Sequence, residues 1–356
     1  MPPTFAIATA LHEAGHEVGL LGHPALSEVV PKPSVSFQPF TRARQWSPIV
    51  ANPGMRSMLA WLRLASDAGI RRDVEAHLAR EPADVVVVDC MVPAALQAAR
   101  ESGAAVVLLL HAFSSYWTSQ WSSASPMGAW LRLTGTHPSY IPADLAIVTT
   151  DPELDIVETD TVPARLVVQT GAMVTRGKSV DPRPIADILV SFSTISYPGQ
   201  IGTLQRTFDA LGTLPLTALA TITPALKSKT LRIPDNVTAV GFMPHAELLP
   251  RVRMLIGHGG HGTTMSALAH GVPVLVLAMS KHADQPLVGR AVERTGVGIG
   301  LQRDASVASI RAAIEKLAGD RGYSDRAQRL AQTFNERDSA AIAADAIASI
   351  AKRDLA

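Results

Sequence analysis

A glycine-rich turn in the C-terminal half of the chain carries the residues best suited to chemistry. It reads His258-Gly-Gly-His-Gly-Thr-Thr264 and follows an apolar run, so it is expected to join a buried strand to a helix. Unpaired N–H groups and the helix dipole would point at whatever binds there, and glycine lets a phosphate approach the backbone closely. Threonine hydroxyls and the His258 imidazole add donors, and His258 could become cationic beside a phosphate. The turn therefore predicts an anion site.

Two other interpretations of the turn are less favoured. A metal could be bound by His258, His261, His282 and Asp284, but two histidines three residues apart in a glycine turn do not form a rigid face. The glycines could also serve only a tight turn, although many donors converge there. The segment is neither a Walker P-loop, which needs Gly-Lys-Ser/Thr, nor a dinucleotide GxGxxG motif after the first strand.

The turn is one of several motifs with a fixed order along the chain. His258-Gly-Gly-x-Gly-Thr is followed by Gly271-Val-Pro and by Asp284-Gln285, and it is preceded by Val190–Thr194 and Val240–Pro250. Over residues 188–301 this set resembles the donor-binding signature of the UDP-glycosyltransferase family, especially its bacterial macrolide and antibiotic branch. The resemblance implies the GT-B fold, in which two Rossmann-like domains face each other across a cleft.

The resemblance also implies roles for single residues. His258 and the backbone from Gly260 to Thr263 would hold the donor diphosphate, and Thr194 would contact it from a facing loop. Asp284 and Gln285 would hydrogen-bond the sugar hydroxyls, because a carboxylate accepts and an amide also donates. Ser266 stands where the family commonly has a ribose-binding Glu. The implied donor-binding residues are Thr194, Phe242, Met243, His245, His258, Gly260, Gly262, Thr263, Ser266, Asp284 and Gln285.

The N-terminal half departs from the family at its start. The family opens with a strand and a Gly-His pair, whereas Met1–Val18 matches only the helix that follows them and its Gly15-His16-Glu17-Val18 exit. In many members that histidine is the general base, oriented by an aspartate that aligns with Asp89. We therefore expect that translation starts upstream of Met1 and that the protein is longer by about 10–20 residues, the length of a strand and a turn.

Asp89 is the predicted catalytic residue of this chain, and its partner is left open. Asp89 could instead cap a helix, and Cys90 beside it is interpreted as a small core residue rather than a nucleophile. Each candidate histidine could also be a packed or capping residue. The histidines that could replace the lost base are His12, His16, His23 and His111.

The elements that must position these residues alternate between strand and helix, which predicts α/β domains with doubly wound parallel sheets. We expect strands at 17–21, 83–88, 104–110, 145–148, 188–192, 216–221, 252–256 and 274–277. Helices are expected at 4–14, 56–80, 93–100 and 202–211, with a break near Gly69. The expected domains are 1–170 and 185–356, joined by a linker at 171–184. A helical segment at 324–352 completes the second domain or packs back on the first.

Aromatic residues are concentrated in the first half, and one group of them suggests an acceptor pocket. The segment Phe113–Trp130 mixes aromatics with serines beyond the end of a predicted strand, which is the edge where α/β sheets bind ligands. The predicted pocket residues are Phe113, Trp117 and Trp121. Ordinary core packing is the alternative for each of them.

The composition excludes several classes of protein. The chain has 356 residues, 47% of them hydrophobic, a net charge of +1 and a single cysteine. These values argue against a nucleic-acid-binding protein, a disulfide framework and a Cys-rich zinc site. Apolar runs are too short to span a membrane, and no signal peptide is evident, so we expect a cytoplasmic protein without membrane insertion.

The function implied by the resemblance is transfer of a sugar, with inversion, from a nucleoside diphosphate to a hydroxyl of a small hydrophobic acceptor. No metal or other cofactor is expected, because the glycine turn and helix dipole could stabilise the leaving diphosphate. The alternatives are a nucleotide-sugar-binding protein without transfer activity and, less favoured, a nucleotide-sugar epimerase. A homodimer is left open.

Overall fold

A computed structural model describes residues 3–31, 35–46, 55–174, 183–192, 197–222 and 231–351. They form two compact units. Unit 1 is drawn from Met1–Ser47, Gly54–Met173 and Asp338–Ala356, and unit 2 mainly from Val174–Arg337. The predicted linker at 171–184 falls largely on residues 175–182, which lie outside the described residues.

Unit 1 contains two parallel sheets. Its strands are β1 (Gly19–Gly22), β2 (Ser36–Pro39), β3 (Val85–Asp89), β4 (Ala105–Leu110), β5 (Ala143–Val148) and β6 (Ala164–Gln169). Within the described residues, β1 pairs with β2 alone, while the other four strands form a separate sheet in the order β3-β4-β5-β6. The helices of this unit before residue 174 are α1 (Pro3–Glu13), α2 (Met55–Ala65), α3 (Ala68–Leu78), α4 (Ala95–Glu101), α5 (Ser114–Trp121) and α6 (Pro126–Leu133).

The sheet of unit 1 is covered on both faces, as the unbroken apolar sequence of β4 predicts. Val106, Leu108 and Leu110 on one face pack in the same cluster as residues of α4 and α5. Ala105 and Leu109 on the other face pack with Ile7 of α1 and with the helix Ser339–Ala351 at the end of the chain. That last helix therefore packs on the unit that begins the chain, the second of the two placements considered from the sequence.

Unit 2 contains one six-stranded parallel sheet. Its strands are β7 (Ile188–Ser191), β8 (Ala218–Thr221), β9 (Val237–Val240), β10 (Met254–Gly257), β11 (Val274–Ala278) and β12 (Gly298–Gln302). Its helices are α7 (Gln200–Leu211), α8 (His245–Leu248), α9 (His261–Ala269), α10 (Gln285–Arg294), α11 (Val307–Gly319) and α12 (Arg321–Glu336), and α13 is the helix Ser339–Ala351 of unit 1. The predicted α/β class with parallel sheets is confirmed.

The strand order of unit 2 shows where a ligand would bind. The order is β12-β11-β10-β7-β8-β9, so the chain builds outward from β7 on one side and then from β10 on the other. In open α/β sheets, ligands bind beyond the carboxyl ends of the strands at such a reversal. β7 ends at Ser191 and β10 ends at Gly257, and these two residues are register partners.

Candidate functional site

The glycine turn lies at the carboxyl end of β10, beside β7. A Cβ on Gly257 would lie 2.8 Å from the Ser191 carbonyl oxygen, and one on Gly260 would lie 2.5 Å from His258 Nε2. Gly259 has φ +79°, a left-handed conformation that glycine adopts most readily. A Cβ on Gly262, by contrast, would meet nothing within 4 Å. The first turn of α9 therefore borders open space.

His258 is a buried imidazole with an unused hydrogen-bonding atom. Its relative exposure is 9%, and its Nδ1 has no hydrogen-bond partner among the described residues. Burial and the neighbouring His245 lower the pKa of His258 to about 4. His258 is thus neutral at pH 7 in this structure, and cationic character would need an anion beside it.

His245 is held at the same edge by a chain of hydroxyl groups. Ser191 Oγ lies 2.8 Å from His245 Nε2, and Thr221 Oγ1 donates to Ser191 Oγ at 2.9 Å. Burial lowers the pKa of His245. Sequence reasoning missed Ser191 and Thr221 as supporting residues. Their signal is positional, because each is the last residue of its strand.

Gln285 and Asp284 differ in their surroundings. Gln285 is 1% exposed, and its Oε1 accepts hydrogen bonds from the backbone N–H groups of Met279, at 2.6 Å, and Ser280, at 3.0 Å. Gln285 therefore fixes the loop that follows β11. Asp284 is half-buried at the start of α10. Tyr197, which was not predicted from the sequence, lies near both Asp284 and His258. Burial and the Asp284 charge raise the pKa of Tyr197, and the centroid of its ring lies 6.1 Å from that of the His258 ring.

The remaining predicted donor residues are less buried or lie outside the described residues. Phe242 is 80% exposed, and Met243, Thr263 and Ser266 are half-buried. The Ser266 carbonyl accepts a hydrogen bond from His270 Nδ1 at 2.7 Å. Thr194 lies outside the described residues. Within the described part of the chain, the histidines of the turn and Asp284 do not form a three-ligand metal group.

In unit 1, Asp89 meets one of its four candidate histidines. Asp89 ends β3, and His111 follows β4 directly, so both lie at the carboxyl edge of adjacent parallel strands. His111 Nε2 lies 3.2 Å from Asp89 Oδ1, which also accepts the Met91 N–H at 2.9 Å. Their side chains are 27% and 30% exposed. Together with Cys90 they form a three-ligand group whose donor atoms lie within 4.8 Å of one another.

The surroundings of Asp89 and His111 favour the charged form of both side chains. Burial opposes the charge of His111, but Cys90 and Asp89 outweigh it and raise the pKa of His111 well above its usual value. Burial likewise opposes the Asp89 carboxylate, but His111 outweighs it and lowers the pKa of Asp89. Burial raises the pKa of Cys90 to about 11, and Cys90 packs in the apolar core of unit 1.

The backbone around His111 is held in an unusual conformation. Ala112 has φ +69°, the left-handed region that residues with a side chain rarely adopt. Its carbonyl accepts a hydrogen bond from Thr150 Oγ1 at 2.7 Å, and the His111 carbonyl accepts one from Trp117 Nε1 at 2.6 Å. The Trp117 ring also meets the His111 ring edge-on, with 5.8 Å between centroids. These contacts fix the position of the imidazole.

The predicted acceptor-pocket residues are buried. Phe113, Trp117 and Trp121 are 3%, 8% and 5% exposed, and both tryptophans belong to the apolar core of unit 1. A half-buried aromatic group that the sequence reasoning did not select lies elsewhere in this unit. It consists of His23, Phe40, Trp46 and Trp61.

Comparison with known proteins places this geometry in context. Residues 205–348 match the family described as erythromycin biosynthesis protein CIII-like, C-terminal domain. UDP-glycosyltransferase 2 of Phaeomoniella chlamydospora is 27% identical over 168 residues, which are 46% of this chain and 37% of that protein. The 4'-demethylrebeccamycin synthase of Lentzea aerocolonigenes is 34% identical over 116 residues, which are 32% of this chain and 27% of that protein. The matched part thus spans about a third of these relatives.

Solved structures resemble nearly the whole chain. The glycotransferase of kitacinnamycin has a TM-score of 0.78 and 19% identity, covering 98% of this chain and 95% of its own. CalG4, the calicheamicin glycosyltransferase, has a TM-score of 0.74 and 21% identity, covering 99% and 95%. VinC in complex with dTDP has a TM-score of 0.74 and 19% identity, covering 99% and 96%.

Among the helices described here, none is long and apolar enough to cross a membrane. The resemblance inferred from the motifs is confirmed: the chain has the GT-B fold of these glycosyltransferase structures, and residues 205–348 match the erythromycin biosynthesis protein CIII-like C-terminal domain.

Proposed function

We propose that this chain transfers a sugar from a nucleoside diphosphate to a hydroxyl of a small, apolar acceptor, with inversion at the anomeric carbon. The observation that carries the proposal is the glycine turn of unit 2. It lies at the strand reversal, opens onto the first turn of α9 and contains a buried imidazole with an unpartnered Nδ1. Several donors thus converge where an anion would be bound by α9.

The diphosphate is the part of the donor that this turn suits best. Negative charge develops on the leaving diphosphate during transfer, and preorganised N–H groups and a helix dipole stabilise such charge without reorganising. The α9 amides from Gly260 to Thr263 and the His258 imidazole would supply these donors. We propose that no divalent cation is needed for this reason.

The sugar and base are assigned to the surrounding residues. Asp284 would bind sugar hydroxyls, and Gln285 would act mainly through the loop that it fixes. Phe242 presents an exposed ring on which a pyrimidine could stack. Met243, His245, Ser266 and Thr194 would complete the donor site.

Uracil and thymine are the bases to test first. VinC was solved with dTDP, and the relative from Phaeomoniella chlamydospora is named a UDP-glycosyltransferase, which supports a pyrimidine nucleotide here. The names of the relatives refer to kitacinnamycin, calicheamicin and demethylrebeccamycin, which supports a natural-product acceptor. A role in the cytoplasm stays a prediction from the sequence. Phe113, Trp117 and Trp121 stay the predicted acceptor pocket.

Calorimetry with UDP and dTDP tests the donor site. We expect the wild-type chain to bind one of them and His258→Ala to bind it at least tenfold more weakly. His12→Ala, which removes an exposed histidine of α1, is the matched control and should bind as the wild type does. Absence of binding to both nucleotides by a chain that is folded by circular dichroism would contradict the proposal.

Turnover separates a transferase from a protein that only binds the donor. Release of UDP from UDP-glucose, or of dTDP from dTDP-glucose, is followed with 4-nitrophenol as the acceptor. Acceptor-dependent release that yields the glucoside supports transfer, and the anomeric configuration of the product tests inversion. Nucleotide binding without any release would favour the binding protein instead.

A further inference from the structure

We propose that Asp89, Cys90 and His111 of unit 1 bind a single zinc ion. Their donor atoms all lie within 4.8 Å of one another, at the carboxyl ends of the adjacent strands β3 and β4. All three residues belong to one unit. Zinc binding here does not involve the donor site of unit 2 and does not depend on the sugar transfer proposed above.

The separations between the donor atoms match those around a tetrahedral zinc ion. Zinc bonds of about 2.3 Å to sulfur and about 2.1 Å to nitrogen and oxygen place nitrogen and oxygen ligands about 3.4 Å apart, and sulfur and oxygen ligands about 3.6 Å apart. In this structure His111 Nε2 lies 3.2 Å from Asp89 Oδ1, and Cys90 Sγ lies 3.8 Å from the same oxygen. Small shifts of these side chains would therefore complete three corners of a tetrahedron.

The kinds of donor atom favour zinc over other common divalent cations. Zinc binds thiolate, imidazole and carboxylate groups, whereas Mg²⁺ and Ca²⁺ prefer oxygen ligands. The Asp89 carboxylate and the Cys90 thiolate would balance the two positive charges of the ion, and a neutral His111 would add none. A single cysteine excludes a Cys-rich zinc site, but it is sufficient for a site with one thiolate.

Contacts to the rest of unit 1 hold the three ligands in place. Asp89 Oδ1 accepts the Met91 N–H at 2.9 Å, and hydrogen bonds of this kind orient ligating carboxylates. The His111 carbonyl accepts a hydrogen bond from Trp117 Nε1, and the two rings meet edge-on. Cys90 is packed in the apolar core of the unit. Little reorganisation is thus needed when the ion binds.

The exposure of the ligands indicates how the ion would enter. The side chains of Asp89 and His111 are 30% and 27% exposed, whereas Cys90 is 1% exposed. Sulfur would therefore hold the ion from the inside, while the carboxylate and the imidazole border solvent. Water would take the fourth position, as it does in zinc sites with three protein ligands. Bound zinc would tie the end of β3 to the end of β4 and stabilise the folded chain.

An ion pair is the alternative interpretation of the contact between Asp89 and His111. Without zinc, these two side chains form the ion pair described above, and that pair needs no third member. Participation of Cys90 therefore distinguishes a metal site from an ion pair. Because zinc would take the place of the thiol proton, the bound state contains a metal–sulfur bond that the ion pair lacks.

Cobalt(II) in place of zinc tests for this bond, because Cys90 is the only cysteine of the chain. The reduced, untagged full chain is titrated with Co²⁺. We expect one Co²⁺ per chain, a thiolate-to-cobalt charge-transfer band in the near ultraviolet, and the strong visible bands of tetrahedral cobalt. Zn²⁺ should abolish these bands, whereas Mg²⁺ and Ca²⁺ should leave them unchanged. The melting temperature of the wild type should rise with Zn²⁺.

Single substitutions test each ligand, with Zn²⁺ affinity measured by competition with a chromophoric chelator. Cys90→Ser, Asp89→Asn and His111→Gln should each weaken Zn²⁺ binding at least about 100-fold, beyond the 10–100-fold loss typical when a residue only orients a ligand. Cys90→Ser should also lose the charge-transfer band. His12→Ala, which removes an exposed histidine of α1, is the matched control and should bind Zn²⁺ as the wild type does.

Three outcomes would overturn the zinc site. A folded chain that binds no Zn²⁺ has no such site, and nucleotide calorimetry then still tests the transferase proposal separately. Cobalt binding without the charge-transfer band would place the cation away from Cys90. Wild-type affinity in Asp89→Asn or His111→Gln would remove that residue from the ligands. Where a variant is unfolded by circular dichroism, the cobalt spectrum of the wild type decides.

Discussion

Two histidines follow strands of the two units, and their pKa values are shifted in opposite directions. His111 follows β4 in unit 1 and meets a carboxylate, so its pKa is raised despite burial. His258 follows β10 in unit 2, where burial and the neighbouring His245 lower its pKa to about 4. Burial acts in the same direction on both. The neighbouring group therefore decides whether a buried histidine is an imidazolium or a neutral donor.

The largest effect expected from this contrast is on the stability of His258 variants. The pKa of His258 is about 4 in the folded protein, below its ordinary value of 6.5. Between these two pH values the unfolded chain therefore binds a proton at His258 that the folded protein does not. The stabilisation is present above pH 6.5 and is lost as the pH falls through 4. Wild type and His258→Asn should thus differ by about 3 kcal/mol more at pH 7 than at pH 4. Urea unfolding at the two pH values measures this, and parallel pH curves would contradict it.

Gln285→Ala tests whether the unit 2 site depends on neutral hydrogen bonds. The substitution leaves the buried N–H groups of Met279 and Ser280 without their acceptor, which costs about 1–3 kcal/mol. Because no charge is removed, the loss in the free energy of unfolding should be nearly independent of salt. Denaturation in 0.05 M and 0.5 M NaCl compares these values, and a strongly salt-dependent loss would argue that the site is ionic like the Asp89–His111 pair.

Gly262→Ala separates stability from ligand binding in unit 2. The new Cβ meets nothing within 4 Å, and alanine is the better helix former, so stability should rise by up to about 1 kcal/mol. A diphosphate on the α9 amides would meet that Cβ, so nucleotide affinity should fall roughly tenfold, or about 1.4 kcal/mol. Gly319→Ala, also in open space, is the control for calorimetry. Unchanged affinity in Gly262→Ala would contradict the placement of the diphosphate.

The smallest effect concerns the stability provided by His111. Its folded-state pKa is raised, so the stabilisation by the Asp89 pair is present below pH 6.5 and is lost as the pH rises through the folded-state value. His111→Gln should therefore approach the wild-type stability at high pH, the reverse of His258→Asn. Both partners are more than a quarter exposed, so solvent screens the effect. Thermal unfolding across pH 5.5–9 tests the sign.

The sequence predicted the elements that carry strong local signals. The helix at 4–14 is found as α1, and the apolar run at 104–110 as β4. The strand after residue 251 and its glycine turn were also predicted, because buried parallel strands are nearly continuous apolar runs. β9 and β12 were not predicted, since β9 exposes Thr238 and Ala239 and β12 contains two glycines.

The sites were predicted less completely because they depend on long-range pairing. The sequence selected Asp89 and named His111 among four candidates, but only the β3–β4 pairing shows which histidine meets the carboxylate. In the same way, the burial of Trp117 and Trp121 depends on how α5 packs on the sheet. A residue that supports others, such as Thr221, carries no motif of its own.

The return of α13 to unit 1 has a consequence for synthesis on the ribosome. Unit 2 is drawn mainly from the continuous stretch Val174–Arg337, whereas unit 1 needs Ala343, Ile347 and Ile350 from the end of the chain to cover its sheet. Domains usually fold in the order in which they are made. Here the second unit can be complete while the first still exposes an apolar face, so the unit that is translated first is the last to finish folding.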